Sequence, residues 1–241
     1  MGSSDTQLRS PRLLLLLAAL LPQCTTFVVT MPSRAVASRR CCASLGAPKM
    51  LSAFMNNGQK DAAQADDQQQ QASVLKQTII NEATGTSNGL AATPEQREAI
   101  SKAVAGLVAL NPTKDVTTSE LATGTWDLLY TTTTGASGGK LGPFVGKVQQ
   151  EVDIAQGLYV NYVRVGPLTG ELEATWEVVN EKQWKVVFKT IAFLLFGQQL
   201  IKKDLGQEGL WTLSYLDNDM RVLTARSLER DTGNLYILAR T

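Results

Sequence analysis

The sequence predicts a mainly β chain: an antiparallel barrel or sandwich of about eight strands behind two short N-terminal helices. Three observations predict it. From Thr125 onward, apolar and polar residues alternate with a period of two. Turn-forming clusters punctuate that stretch roughly every ten to fifteen residues, as in an antiparallel meander. Ahead of it, between Ser73 and Asn111, the apolar period is instead roughly 3.6, the helical value.

The N-terminus reads as an address. Residues 13–21 are LLLLLAALL, preceded by Arg9, Pro11 and Arg12. That is the length of a signal-peptide core and too short to span a bilayer. Cleavage is expected near Thr26 and Phe27. From Phe27 to Lys60 there is no acid, while Arg34, Arg39 and Arg40 sit among Ser33, Ser38 and Ser44, which is transit-peptide composition. A signal peptide (1–26) followed by a transit peptide (27–60), with Phe27 after the first cut, resembles the bipartite leaders of algae with complex plastids. Secretion is the alternative. The Gln-rich stretch 61–72 has no large apolar side chain and predicts a disordered linker ahead of a body at 73–241.

In the body, Val74, Leu75, Ile79 and Ile80 predict the first helix, stopped by TGTSNG. Thr93-Pro94-Glu95-Gln96 is an N-cap with proline at the first helical position. It opens a second helix whose apolar face is Ile100, Val104, Leu107 and Val108, and Asn111-Pro112 ends it. Strands follow at 126–132, 148–154, 158–165, 172–178, 184–190, 209–216, 221–228 and 234–239. Asp217-Asn218-Asp219 and Arg230-Asp231-Thr232-Gly233 are among the turns. The loop Gly135–Lys140 lacks the spacing of a phosphate-binding loop and leads into no helix.

Composition narrows the function. Of the 23 basic residues, seven lie in the first 60 positions, leaving 16 against 21 of the 22 acids in the rest of the chain. A mildly acidic body argues against nucleic acid as a partner, because phosphate binding needs a basic face. There is no histidine, which removes the usual near-neutral acid/base and the commonest metal ligand. The three cysteines, Cys24, Cys41 and Cys42, all fall in the leader, so the body has no thiol for catalysis or zinc. No catalytic residue, metal site or cofactor is expected.

Three segments carry a resemblance. ATGTWDLLYTTT (122–133) resembles the G-x-W-x-L-L-Y-T opening strand of the plastid lipid-associated protein (PAP/fibrillin) family. GLWTLSYLDNDMRVL (209–223) resembles that family's G-x-x-x-x-x-Y-L-D-x-D-x-R-I segment, and GNLYILAR (233–240) its closing G-x-L-F-V-L strand. The chain departs where the family continues R-I-x-R-G: here Arg221-Val222-Leu223-Thr224-Ala225 precedes Arg226, so the second arginine and the glycine are out of register. The resemblance covers roughly 73–241. It implies a lipocalin-like barrel in the plastid, at thylakoids or plastoglobules, binding or organising lipids, quinones or carotenoids without catalysis. It also implies that Trp126, in the G-x-W arrangement that opens lipocalin barrels, closes one end beneath Arg226 or Arg240.

The candidate pocket residues are Trp126, Tyr130, Tyr162, Trp176, Phe188, Tyr215 and Arg226. Asp217, Asp219 and Arg221 predict a turn and an Asp–Arg pair, since two acids are too few for a calcium cage. The run IAFLLFGQQLI (191–201) is either a buried strand or an exposed flap, and makes Phe193 and Phe196 candidates for membrane contact. The expected partners are a small hydrophobic ligand and a membrane or lipid-droplet surface. The competing readings are a droplet scaffold with a filled barrel and an enzyme acting on an apolar substrate. No inward-facing carboxylate pair supports the enzyme.

Overall fold

The computed structural model describes residues 50–229 and 231–241, and the leader readings up to residue 49 lie outside them. Helix α1 (Met50–Ala83) begins well before Ser73. The stretch 61–72 is helical where its composition predicts a disordered linker. Its alanines and glutamines are good helix formers, and no glycine or proline interrupts them. Its polarity shows in burial instead: residues 64–71 are all exposed, and the packed face begins at Ala72 and continues through Ile79 and Ala83.

Helix α2 (Pro94–Ala109) starts on a reciprocal cap. The Thr93 hydroxyl accepts from the Gln96 backbone N–H (3.3 Å), and the Gln96 side chain accepts from that of Thr93 (3.0 Å). Ile100, Ala103, Val104 and Leu107 are its buried stripe. Between the helices the chain passes through Gly89 at φ +94°, where an added Cβ would lie 2.4 Å from the Thr131 carbonyl oxygen. Only glycine allows that approach of the helix hairpin to the strands.

Eleven strands follow among the described residues: β1 (Gly124–Thr131), β2 (Lys140–Leu141), β3 (Phe144–Val145), β4 (Lys147–Asp153), β5 (Leu158–Val165), β6 (Leu168–Asn180), β7 (Gln183–Leu195), β8 (Gln198–Asp204), β9 (Glu208–Leu216), β10 (Met220–Ser227) and β11 (Asn234–Arg240). Eight of them close an antiparallel ring in the order β6-β5-β4-β1-β11-β10-β9-β7, with β7 pairing back onto β6. The other three are the small β2–β3 hairpin and β8. One edge of β7 is shared: residues 183–187 pair with β9, and residues 190–195 with β8, which therefore projects past the ring as a flap. The apolar run 191–201 is thus the end of β7, a tight turn and the fully exposed β8.

The barrel buries apolar side chains on both faces of one wall. Inside, Trp126, Leu128, Val152, Trp184, Leu213 and Leu238 form one core. Outside, the wall made by β1, β9, β10 and β11 packs Tyr130, Tyr215, Met220, Val222 and Ile237 against Ile79, Ile100 and Leu107 of the helices. Two bulges make this sorting possible. In β1 the register slips between Leu128 and Tyr130, so Trp126 and Leu128 point in while Tyr130 points out to the helices. In β9 a slip opposite Val222 and Leu223 puts Leu213 inside and Tyr215 outside.

Candidate functional site

One end of the barrel is solid. Trp126 is fully buried and donates its indole N–H to the Ala122 carbonyl (2.9 Å). Trp184 donates to the Thr117 carbonyl (3.0 Å) and stacks on Trp176 with ring centres 4.8 Å apart. The Arg240 guanidinium lies 4.2 Å from the centre of the Trp126 ring and that of Arg221 lies 5.0 Å from it. Arg226 is not among these stacking partners; it lies at the other end.

That other end holds a cavity of about 430 Å³. Small residues line it: Gly170 on β6, Gly209 on β9 and Ala225 on β10. Its walls are Phe188, Ile191 and Phe193 of β7, Val163 of β5, and Trp211 and Leu223. Tyr159 meets Trp211 edge to face (4.8 Å), and Phe188 lies 6.3 Å from Trp211. Polar groups stand at its two ends. Gln150 and Tyr159 stand towards the solid end, and the Tyr159 hydroxyl donates to Asn161 Oδ1 (3.1 Å). Near the mouth the Tyr236 hydroxyl donates to Ser137 Oγ (3.1 Å), and Arg226, Thr232 and Asn234 line the opening. Burial pushes the Tyr159 hydroxyl far above its ordinary pKa and raises that of Tyr236, so both stay neutral donors.

The alternating positions that face the interior carry no carboxylate. Glu171 and Glu208 do border the cavity, but alternation turns the Glu171 side chain to the outer face with Tyr162, and Glu208 is held by Lys185 (3.0 Å). Among the described residues no group of acids, histidines or cysteines is arranged to hold a metal.

Phe188 and Arg226 line the cavity, as does Phe193. Trp126 and Trp176 belong to the packed end, and Tyr130 and Tyr215 face the helices. Tyr162 lies on the outer face, where its hydroxyl reaches Glu151 (3.3 Å) and Arg164 covers its ring (4.6 Å). Phe196 sits at the β7–β8 turn, 80% exposed. The expected Asp–Arg pair is corrected. Asp217 and Asp219 do build the turn, with Asp217 Oδ1 accepting from the backbone of Asp219 and Met220 (2.9 and 2.7 Å). Their cation is Lys76 of α1, at 2.8 and 3.1 Å, because strand alternation sends Arg221 into the barrel and away from them. Gln150, Tyr159, Asn161, Trp211 and Tyr236 were not candidates in the sequence. Their period-two positions on β4, β5, β9 and β11 are the signal that finds them.

No curated protein and no solved structure matches the chain. The PAP_fibrillin family model matches residues 73–239, which run from the packed part of α1 through α2 and the barrel to the last but one residue of β11. The chain belongs to the PAP/fibrillin family of plastid lipid-associated proteins.

Proposed function

We propose that this protein binds a small hydrophobic metabolite inside the barrel and docks by its rim on a plastid lipid surface, without catalysing a reaction. The observation that carries this reading is the cavity: about 430 Å³, with aromatic and aliphatic side chains along its walls and polar groups at its two ends. That is the make-up of a ligand pocket. A droplet scaffold needs no such space, so the cavity favours the carrier over a filled-barrel coat. The interior lacks the carboxylate pair that an enzyme without histidine or cysteine would need.

Docking is supported by exposed apolar residues gathered by topology at the cavity's end of the barrel. The tip of the β2–β3 hairpin and the β5–β6 and β7–β8 turns share that end, and they bring Phe144, Val145 and Phe196 there, with Leu200 and Ile201 on β8. No described helix is long and apolar enough to cross a membrane, so the contact proposed is peripheral. The leader composition supports delivery to a complex plastid, where the surface is a thylakoid or a plastoglobule. Cleavage anywhere before Ala72 leaves the packed face of α1 in place.

Titration of delipidated protein with a quinone and a carotenoid tests the pocket, read by tryptophan fluorescence because Trp211 lines it. Saturable quenching is expected, and its absence for every apolar ligand tried would count against the reading.

A further inference from the structure

The solid end of the barrel holds an unsolved electrostatic problem. Arg221 enters it from β10 and is fully buried. Its Nη2 donates to Gln150 Oε1, while its Nε and Nη1 have no hydrogen-bond partner. Among the described residues no carboxylate lies within ion-pair distance of it. The π-face of Trp126 gives partial compensation, but the same ring also receives Arg240. Two guanidinium groups therefore share one indole, and no interior position supplies an acid. Burial and the second arginine lower the pKa of Arg221 to about 10, so it remains charged at neutral pH. A buried charge without a counter-charge is costly, and proteins retain one chiefly where something else supplies the partner.

The cavity lies directly above. Gln150 belongs to both sites: its carbonyl oxygen is held from below by Arg221, and its side chain lines the cavity. Fixing Oε1 downward leaves the Gln150 amide N–H donors for the cavity, while the neighbouring Tyr159 hydroxyl already donates to Asn161 Oδ1 (3.1 Å). The seat thus offers donors and positive potential at one pole of an otherwise apolar space.

We propose that the cavity takes a long-chain carboxylate, its headgroup seated on the Gln150 amide N–H and neutralising Arg221 beneath it. This rests on the reading that the cavity binds a hydrophobic metabolite, and it adds the chemistry of the polar end. The acyl chain runs past Trp211 and Phe188 to the mouth at Phe193. The headgroup enters first and displaces no ion pair.

Calorimetric titration of the full chain with oleate and, separately, oleyl alcohol tests it. The two ligands share a chain and differ in headgroup charge. The expected result is oleate at least tenfold tighter than the alcohol. Gln150→Glu, nearly isosteric and able to give Arg221 an internal counter-charge, is expected to fold with an equal or higher Tm and to bring the acid-to-alcohol ratio to about one. Equal binding of the two ligands to the unaltered chain overturns the inference and leaves the cavity reading standing. Binding of neither overturns both. A preference that survives Gln150→Glu but vanishes in Arg226→Gln places the headgroup at the mouth and also overturns the inference.

Discussion

The guanidinium of Arg240 lies 4.2 Å from the centre of the Trp126 ring while donating to the carbonyl oxygens of Thr123 (2.8 Å) and Asn218 (2.6 Å) and to that of Leu121. One side chain from the last strand thereby ties together the loop before β1, the β9–β10 turn and the indole that plugs the barrel. Arg240→Ala removes the stacking contact and leaves those carbonyls to water. It is expected to cost about 2 kcal/mol, and Trp126→Ala about 3–5 kcal/mol, read by urea unfolding. Arg240→Lys is expected to recover little of the loss, because an ammonium lacks the planar fork that reaches three carbonyls. Full recovery by lysine would show that charge alone holds this end.

Lys76 links the helices to the barrel through Asp217 and Asp219, and the Tyr215 hydroxyl donates to the same Asp217 carboxylate (2.5 Å). Burial works against the charge on each partner. For Lys76 the two carboxylates outweigh it and raise its pKa; for Asp217 the hydrogen bonds from Lys76, Tyr215 and the backbone outweigh it and lower its pKa. The lysine's contribution is therefore full below its unfolded pKa and lost as pH rises through the folded value, above about 10. The aspartate's is full above its unfolded pKa and lost as pH falls below about 4. Lys76→Met is expected to cost about 1 kcal/mol at pH 7, a figure kept small because the pair is partly solvated. Its stability curve should be flatter than the parent's at both extremes, as measured by thermal unfolding across pH.

Ala225 lines the cavity, paired in register with Trp211. Ala225→Phe puts a ring into the open space. Ligand affinity is expected to fall at least tenfold while Tm holds or rises, since filling a void adds contacts. Undiminished binding would place the ligand elsewhere on the molecule.

Phe196 adopts φ +50° at the β7–β8 turn, a conformation unfavourable for an aromatic residue. Neither packing nor backbone preference explains the ring, and the docking contact proposed above would give it a use. Phe196→Asn, a residue that tolerates this conformation, is expected to keep or raise Tm and to weaken flotation with lipid vesicles. Unchanged flotation would remove the turn from the docking surface.

The eight-stranded meander was legible because period-two alternation survives in nearly every strand. What alternation alone hid were the slips in it. Trp126, Leu128 and Tyr130 look co-facial in sequence, yet a one-residue bulge turns Tyr130 to the helices, and a similar bulge turns Tyr215. Bulges leave no composition signal here, so the sequence alone does not show that Tyr130 and Tyr215 face the helices. Sequence proximity pairs Arg221 with Asp217 and Asp219, and cannot show that the strand begins at Met220 and points the guanidinium inward. The cavity is lined in part by the small Gly170, Gly209 and Ala225, which read as ordinary strand residues until the ring closes.

Mass spectrometry of lipids that co-purify with the chain from native plastids tests the central claim most directly, with the Ala225→Phe variant run alongside. A stoichiometric hydrophobic metabolite on the parent, depleted on the variant, is the predicted result. A parent chain that carries no lipid, or carries the same lipids in the same amounts as the cavity-filled variant, would contradict it.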